Sequence, residues 1–212
     1  MFKLLYIIRN NCILTKKYLA VVLLFSVLAP IFLQSKLETY GGDFLIFFIP
    51  CFMSIYLVHG NLSTIDFKNK GSSLLATTPY TRRMLVVGEY SFLFLLFFAY
   101  VAIFCSVSQI VPRFLTSPSI LTIGLSFCII SFVFSIYIPI LYKLGYEKTK
   151  FVSFILVFAA PFLSPVIAKF VSEHGITLDF MNKIQYVPFL LASFIGILSM
   201  IITIYIYKYK DL

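Results

Sequence analysis

The sequence predicts an all-α, polytopic membrane protein with six transmembrane helices, and three observations predict it. Hydrophobic residues make up 61% of the 212-residue chain and charged residues 12%, where a water-soluble domain carries about 25% charged residues. Mean hydropathy is +1.01, more apolar surface than a buried core absorbs, so lipid is the expected solvent. Six long apolar runs carry no Asp, Glu, Lys or Arg at their centres. At about 20 residues per span, the chain holds six helices with short connections. Residues 1–212 then form a single domain, and any soluble engine belongs on another chain.

Met1 to Lys17 reads as a short amphipathic helix. Phe2, Leu5, Ile8 and Cys12, with Leu4 and Ile7, recur at helical spacing among Lys3, Arg9, Asn10, Lys16 and Lys17. A basic helix of this kind lies on the membrane face; the alternative is an N-terminus that only sets topology. The first span runs from Tyr18 to Leu33. No small-residue cleavage site follows it, so it reads as a retained helix rather than a signal peptide. Gln34 to Asp43 is a short polar turn with Gly41-Gly42, and the second span runs from Phe44 to Gly60. Asn61 to Arg83 is polar, and the third span runs from Met84 to Val111. Pro112 to Ser119 is a loop, Ile120 to Tyr142 the fourth span and Lys143 to Lys150 a basic loop. The fifth span covers Phe151 to Ala168, Lys169 to Gln185 is a mixed-charge loop, and the sixth span covers Tyr186 to Tyr207.

Thirteen of the seventeen Lys and Arg then fall on one side. They are Lys3, Arg9, Lys16, Lys17, Lys68, Lys70, Arg82, Arg83, Lys143, Lys148, Lys150, Lys208 and Lys210. The other side holds Lys36, Arg113, Lys169 and Lys183. That bias places both termini in the cytoplasm, and an even number of spans agrees. Basic loops facing anionic membrane lipids account for the net charge of +9, so no nucleic-acid partner is expected. Trp is absent, but Tyr18, Tyr40, Tyr80, Tyr90, Tyr142, Tyr186 and Tyr207 fall near predicted interfaces, where amphipathic rings anchor.

The uncharged helix centres argue against a carrier that couples itself to protons or ions, which usually needs an ionisable group at depth. Glu89 is the nearest exception. It lies one to two turns into the third span, seven residues after Arg82 and on the same helical face, and reads as an interface charge reaching toward the headgroups. His59 closes the second span and His174 lies in an outer loop; two isolated histidines make no metal set. Cys12, Cys51, Cys105 and Cys128 lack metal or redox spacing. Neither a His-Glu-x-x-His nor a Gly-x-Ser-x-Gly motif is present. The Gly-x-x-x-x-Gly-Lys-Ser/Thr phosphate loop is missing too. No catalytic residue, metal or cofactor is therefore expected on this chain.

The segment between the second and third spans carries the functional signal. It reads Asp66, Phe67, Lys68, Asn69, Lys70, Gly71, Ser72, Ser73, Leu74, Leu75, Ala76, Thr77, Thr78, Pro79, Tyr80, Thr81, Arg82, Arg83. A connection without a role needs about 2–8 residues, and Asn61–Arg83 is roughly three times that. Leu74 and Leu75 among small residues suit a short helix, Pro79 stops it, and Thr78 or Thr81 can cap the next span. A short helix joined rigidly to two spans would transmit a push from a cytoplasmic partner; the alternative is a basic interfacial loop without one.

The run from Leu74 to Arg83, followed by Met84-Leu85-Val86-Val87-Gly88-Glu89-Tyr90, resembles the hallmark of ABC-2-type exporter permeases. Their pattern is two leucines, a small residue, Leu-Pro-Val-Ser-Arg, a basic residue, two apolar residues and Lys-Tyr. The basic helix before six spans and the order of span, loop and span match as well. Here Thr78 replaces the usual Leu before Pro, and Glu89 stands where relatives often carry Lys. The resemblance implies an ABC ATPase partner that holds ATP and Mg, a second permease (identical or different), and an ATPase-coupling element. That element comprises Asp66, Phe67, Lys68, Lys70, Leu74, Leu75, Pro79, Arg82 and Arg83. It also implies a broken, partly re-entrant region after the fifth span, which Pro161 and Pro165 fit; a simple kink is the alternative. An aromatic, aliphatic, Ser/Thr-dotted lumen suits amphipathic or hydrophobic cargo. The Ile-, Phe-, Lys- and Tyr-rich usage resembles small Gram-positive permeases in a bacterial cell membrane, the phenol-soluble modulin exporters of staphylococci among them, and so peptide toxin export. Two other readings are a membrane anchor, immunity or regulatory subunit without transport, and an intramembrane enzyme acting on lipid.

Overall fold

In the computed structural model, which describes residues 2–37, 42–68, 81–112, 115–152, 154–155 and 185–209, the described secondary structure is all helical. Helix α1 is Phe2–Leu14, α2 Lys16–Leu37, α3 Gly42–Lys68, α4 Arg82–Ile110 and α5 Ile120–Leu144. A short helical stretch at residues 146–152 is α6, and α7 is Val187–Lys208. Four stretches are long and apolar enough to span: Phe44–Lys68, Arg82–Ile110, Ile120–Leu144 and Val187–Lys208. With 22–29 residues each, they measure about 33–44 Å at ~1.5 Å per residue, beyond the ~30 Å hydrocarbon layer.

These four spans match the second, third, fourth and sixth predicted ones. In α2, the predicted first span, the described apolar stretch is Leu24–Leu33, too short to span by itself. Most of the fifth predicted span, with Pro161 and Pro165, lies outside the described residues, as do Lys70, Leu74, Leu75, Pro79 and the coupling helix they would form.

The second predicted span ended too early. Helix α3 continues past Gly60 to Lys68, because its polar residues bond backward along the helix instead of ending it. Asn61 Nδ2 donates to the Leu57 carbonyl at 2.7 Å, Ser63 Oγ to His59 at 3.0 Å and Thr64 Oγ1 to Gly60 at 2.7 Å. The predicted N-terminal helix is also shorter, because Thr15 separates α1 from α2. Its hydroxyl donates to the Asn11 carbonyl at 2.7 Å, while its own carbonyl accepts from Tyr18 and Leu19.

Helix α3 is the central element: 61% of its spanning window is buried, against 22% for α7. Phe47, Phe48, Cys51, Phe52, Ile55 and Val58 are all within 2% of fully buried. The Phe47 ring meets Tyr100 at 5.7 Å and Phe104 at 5.0 Å, both edge-on, geometries that aromatic quadrupoles favour. A second aromatic layer joins α4, α5 and α7 through Phe97–Phe127 at 4.8 Å and Phe127–Phe189 at 6.0 Å. Helices approach closely at Gly124, where an added Cβ would lie 2.9 Å from the Phe189 ring, the small-residue packing expected in lipid.

Apolar burial supplies little drive between helices in lipid, so polar contacts contribute. The hydroxyl of Tyr90 on α4 lies 2.6 Å from Ser199 Oγ and 3.0 Å from Thr203 Oγ1 on α7. Ser199 Oγ donates to the Ser135 carbonyl of α5 at 2.8 Å. Ser26 of α2 and Ser54 of α3 meet at 3.4 Å. Phe127 pairs with Phe189 near the starts of α5 and α7, and Tyr142 with Tyr207 near their ends, so these two helices run parallel. The chain leaves one end of the bundle after α5 and re-enters at the other for α7.

Candidate functional site

The ends of α3, α5 and α7 and the starts of α4 and α6 converge where Lys68, Arg82, Arg83, Lys143 and Lys208 cluster in sequence order. At this basic end they line an open-mouthed cavity of about 250 Å³. Helix α1 supplies Ile7 and Asn11, and α3 supplies Leu62, Ser63, Asp66 and Phe67. Leu85 and Glu89 come from α4, Leu141 and Tyr142 from α5, Gly145 and Tyr146 from the α5–α6 junction, and Tyr207 from α7.

Local sequence explains each wall. Thr81 caps α4, its side chain accepting from the Met84 amide, which starts the helix so that Leu85 and Glu89 share one face. Helix α1 lies against that face: a Cβ on Gly88 would sit 2.7 Å from Ile7 Cγ2, so only glycine allows this approach. Gly145 ends α5 at φ +80°, a left-handed conformation that side chains resist, and its amide donates to the Leu141 carbonyl at 2.9 Å. That turn brings Tyr146 back over α3, where its hydroxyl meets Thr64 Oγ1 at 2.7 Å and its ring meets Phe67 at 5.4 Å.

His59 and Glu89 form the polar centre behind the wall. His59 Nε2 and Glu89 Oε1 are 2.8 Å apart, with the two side chains 1% and 13% exposed; the ring nitrogen donates when the carboxyl is ionised. Phe134 and Tyr137 hold the imidazole edge-on, each at 5.4 Å. Glu89 therefore turns into the bundle and does not reach toward headgroups, and His59 is not isolated. A buried histidine gains more from a carboxyl partner than a glutamate gains from a distant interface. Asp66 is close enough to feel both Glu89 and His59. Three ligating residues that could hold a metal do not come together among the described residues.

The predicted coupling residues separate. Asp66 faces the cavity, Phe67 is exposed except where it meets Tyr146, and Lys68 and Arg83 are exposed. Arg82 reaches the end of α7, where Nη1 donates to the Tyr207 and Lys208 carbonyls at 3.1 and 3.3 Å. Its guanidinium carbon lies 5.6 Å from the centre of the Tyr207 ring. A cation there satisfies terminal carbonyls and opposes the negative end of the helix dipole. Tyr90 and Tyr207, expected as interface anchors, are 4% and 3% exposed; the hydroxyl acceptors on α7 and the Arg82 contact draw them inward. The His59–Glu89 pair had a signal in the sequence. His59 continues the buried stripe Cys51, Ile55, Val58, Leu62, and Glu89 the stripe Leu85, Leu93, Leu96.

Residues 6–208 match the family described as ABC-2 family transporter protein. The chain belongs to that family. No curated protein and no solved structure matches it. As an ABC-2 family member with several spanning helices, it is a multi-pass membrane protein of the permease type, and the family implies an ABC ATPase as partner.

Proposed function

We propose that this ABC-2 protein is the transmembrane permease subunit of an ATP-driven exporter. It pairs with a second permease, docks a separate ATPase chain and moves amphipathic or hydrophobic cargo outward, peptides or toxins of the phenol-soluble modulin kind. The observation that carries this reading is the family match across residues 6–208, in a chain whose sequence has no phosphate-binding loop. The basic end faces the cytoplasm of a bacterial cell in this reading, and the 66–83 segment receives the ATPase.

The anchorage of that segment supports the mechanism. Its N-terminal flank is the last turn of α3, held through Phe67 and Thr64 to Tyr146. Its C-terminal flank is the start of α4, held through Arg82 to α7. A push on the connection would be delivered into α3, α4, α6 and α7 together. ATP-driven closure of the motor would then tilt the permease as a unit and reshape the end cavity.

The test is co-purification of the ATPase from membranes. Arg82 also holds α7, so the informative charge reversals are Lys68→Glu, Lys70→Glu and Arg83→Glu. Partner recovery and export should both fall while the variant chain stays at normal abundance. Full recovery and full export in the triple variant would remove the coupling role from this segment.

A further inference from the structure

We infer that the end cavity binds an organic cation, an ammonium group carried on an apolar chain, with Asp66 and Glu89 as its charge partners and tyrosine rings as its walls. The claim goes beyond the permease reading and does not need it.

Size is the first observation. A single ordered water needs about 10–15 Å³ of such space, and a cavity between α4, α5 and α7 offers about 20 Å³. The end cavity, at about 250 Å³, has room for a small organic ion. Charge is the second. The chain carries +9, yet among the described residues the charged side chains lining this cavity are the two acids, which favour a cation over an anion.

The placement of those acids is the third observation. Asp66 sits in the last turn of α3, where a negative charge opposes the helix dipole, and it lies within electrostatic reach of Glu89. It makes no hydrogen bond or ion pair among the described residues, whereas Glu89 is bonded by both His59 and the Tyr142 hydroxyl. His59 lies within electrostatic reach of both acids, and a cation beside Asp66 would supply the direct partner that this carboxylate lacks among the described residues. The walls complete the match. Tyr142, Tyr146 and Tyr207 line the cavity, and aromatic rings attract cations, as the Tyr207 ring already does with the Arg82 guanidinium. Leu62, Leu85 and Leu141 offer apolar surface to the attached chain.

The experiment uses the full chain, purified into lipid nanodiscs without ATPase, and titrates hexylammonium, hexanol and hexanoate by calorimetry. Hexylammonium should bind saturably, while hexanol and hexanoate should not. Asp66→Asn and Glu89→Gln should each weaken binding by about tenfold, as expected for losing one charge-assisted contact. Tyr146→Leu should weaken it too, which keeps the test decisive if either acid variant unfolds. A lysine-bearing amphipathic peptide then competes against the same peptide with its lysines acetylated. Competition by the unmodified form alone assigns the ammonium to a peptide side chain; no competition assigns it to a free amine, and both results uphold the site. Hexanol binding as tightly as hexylammonium, or hexylammonium binding unchanged in all three variants, overturns the proposal. Because no ATPase is present, that failure would leave the transport reading intact, and loss of the ATPase partner would leave this site intact.

Discussion

His59 is fully buried on an apolar helix, where each unpaired polar group costs about 1–3 kcal/mol. Glu89 supplies one partner, and Nδ1 has none among the described residues. Replacing either residue alone by leucine strands the other, so His59→Leu and Glu89→Leu should each destabilise the chain by about 1–3 kcal/mol. The double variant should lose clearly less than the sum, which unfolding in mixed detergent micelles can measure. Strict additivity would mean that the contact does not form. Tyr90→Phe removes the hydroxyl shared with Ser199 and Thr203 and should cost about 0.6 kcal/mol, at most about 1.7. The sequence read Glu89 as an interface charge and His59 as isolated, although each falls at helical spacing from residues that the structure buries. Their partners were not legible, because periodicity assigns a face but not the neighbouring helix that meets it.

Among the elements, four of the six predicted spans read well from composition and their ends read poorly. Helix α3 outran its expected stop at Gly60 because Asn61, Ser63 and Thr64 bond to carbonyls four residues back, which polarity alone does not reveal. Docking of α1 on α4 depends on Gly88. Gly88→Ala should push Ile7 aside and detach α1, seen as faster hydrogen exchange over residues 6–14, and adding Ile7→Ala should restore protection. Rescue would fail if α1 were held elsewhere. The α5–α6 turn depends on Gly145 at φ +80°, so Gly145→Ala should destabilise it by about 1–2 kcal/mol. A thermal midpoint equal to that of the unaltered chain would refute the strain.

For the whole molecule, the question is which membrane face carries which end. In a chain freed of its own cysteines, Lys68→Cys, Lys148→Cys and Tyr209→Cys should resist a membrane-impermeant maleimide in intact cells and react in inverted vesicles. Ser117→Cys should do the opposite. Labelling of positions 68 and 117 from the same side would overturn the shared basic end and the docking surface with it. The parallel course of α5 and α7 belongs to this scale too, since a list of apolar runs says nothing of which run neighbours which.

Composition and the spacing of apolar runs were enough to place the chain in lipid and to locate the four spans that the structure describes, while the side on which its cations gather is an expectation from counted charge. Those are one-dimensional quantities: transfer free energy summed along a run, and charge counted between runs. The tertiary structure alone decided that Glu89 meets His59, that Arg82 holds the end of α7, and that two acids and three tyrosines line one cavity. The first two join residues 30 and 125 to 126 positions apart, and only the packing of one helix against another brings such groups within a hydrogen bond's length.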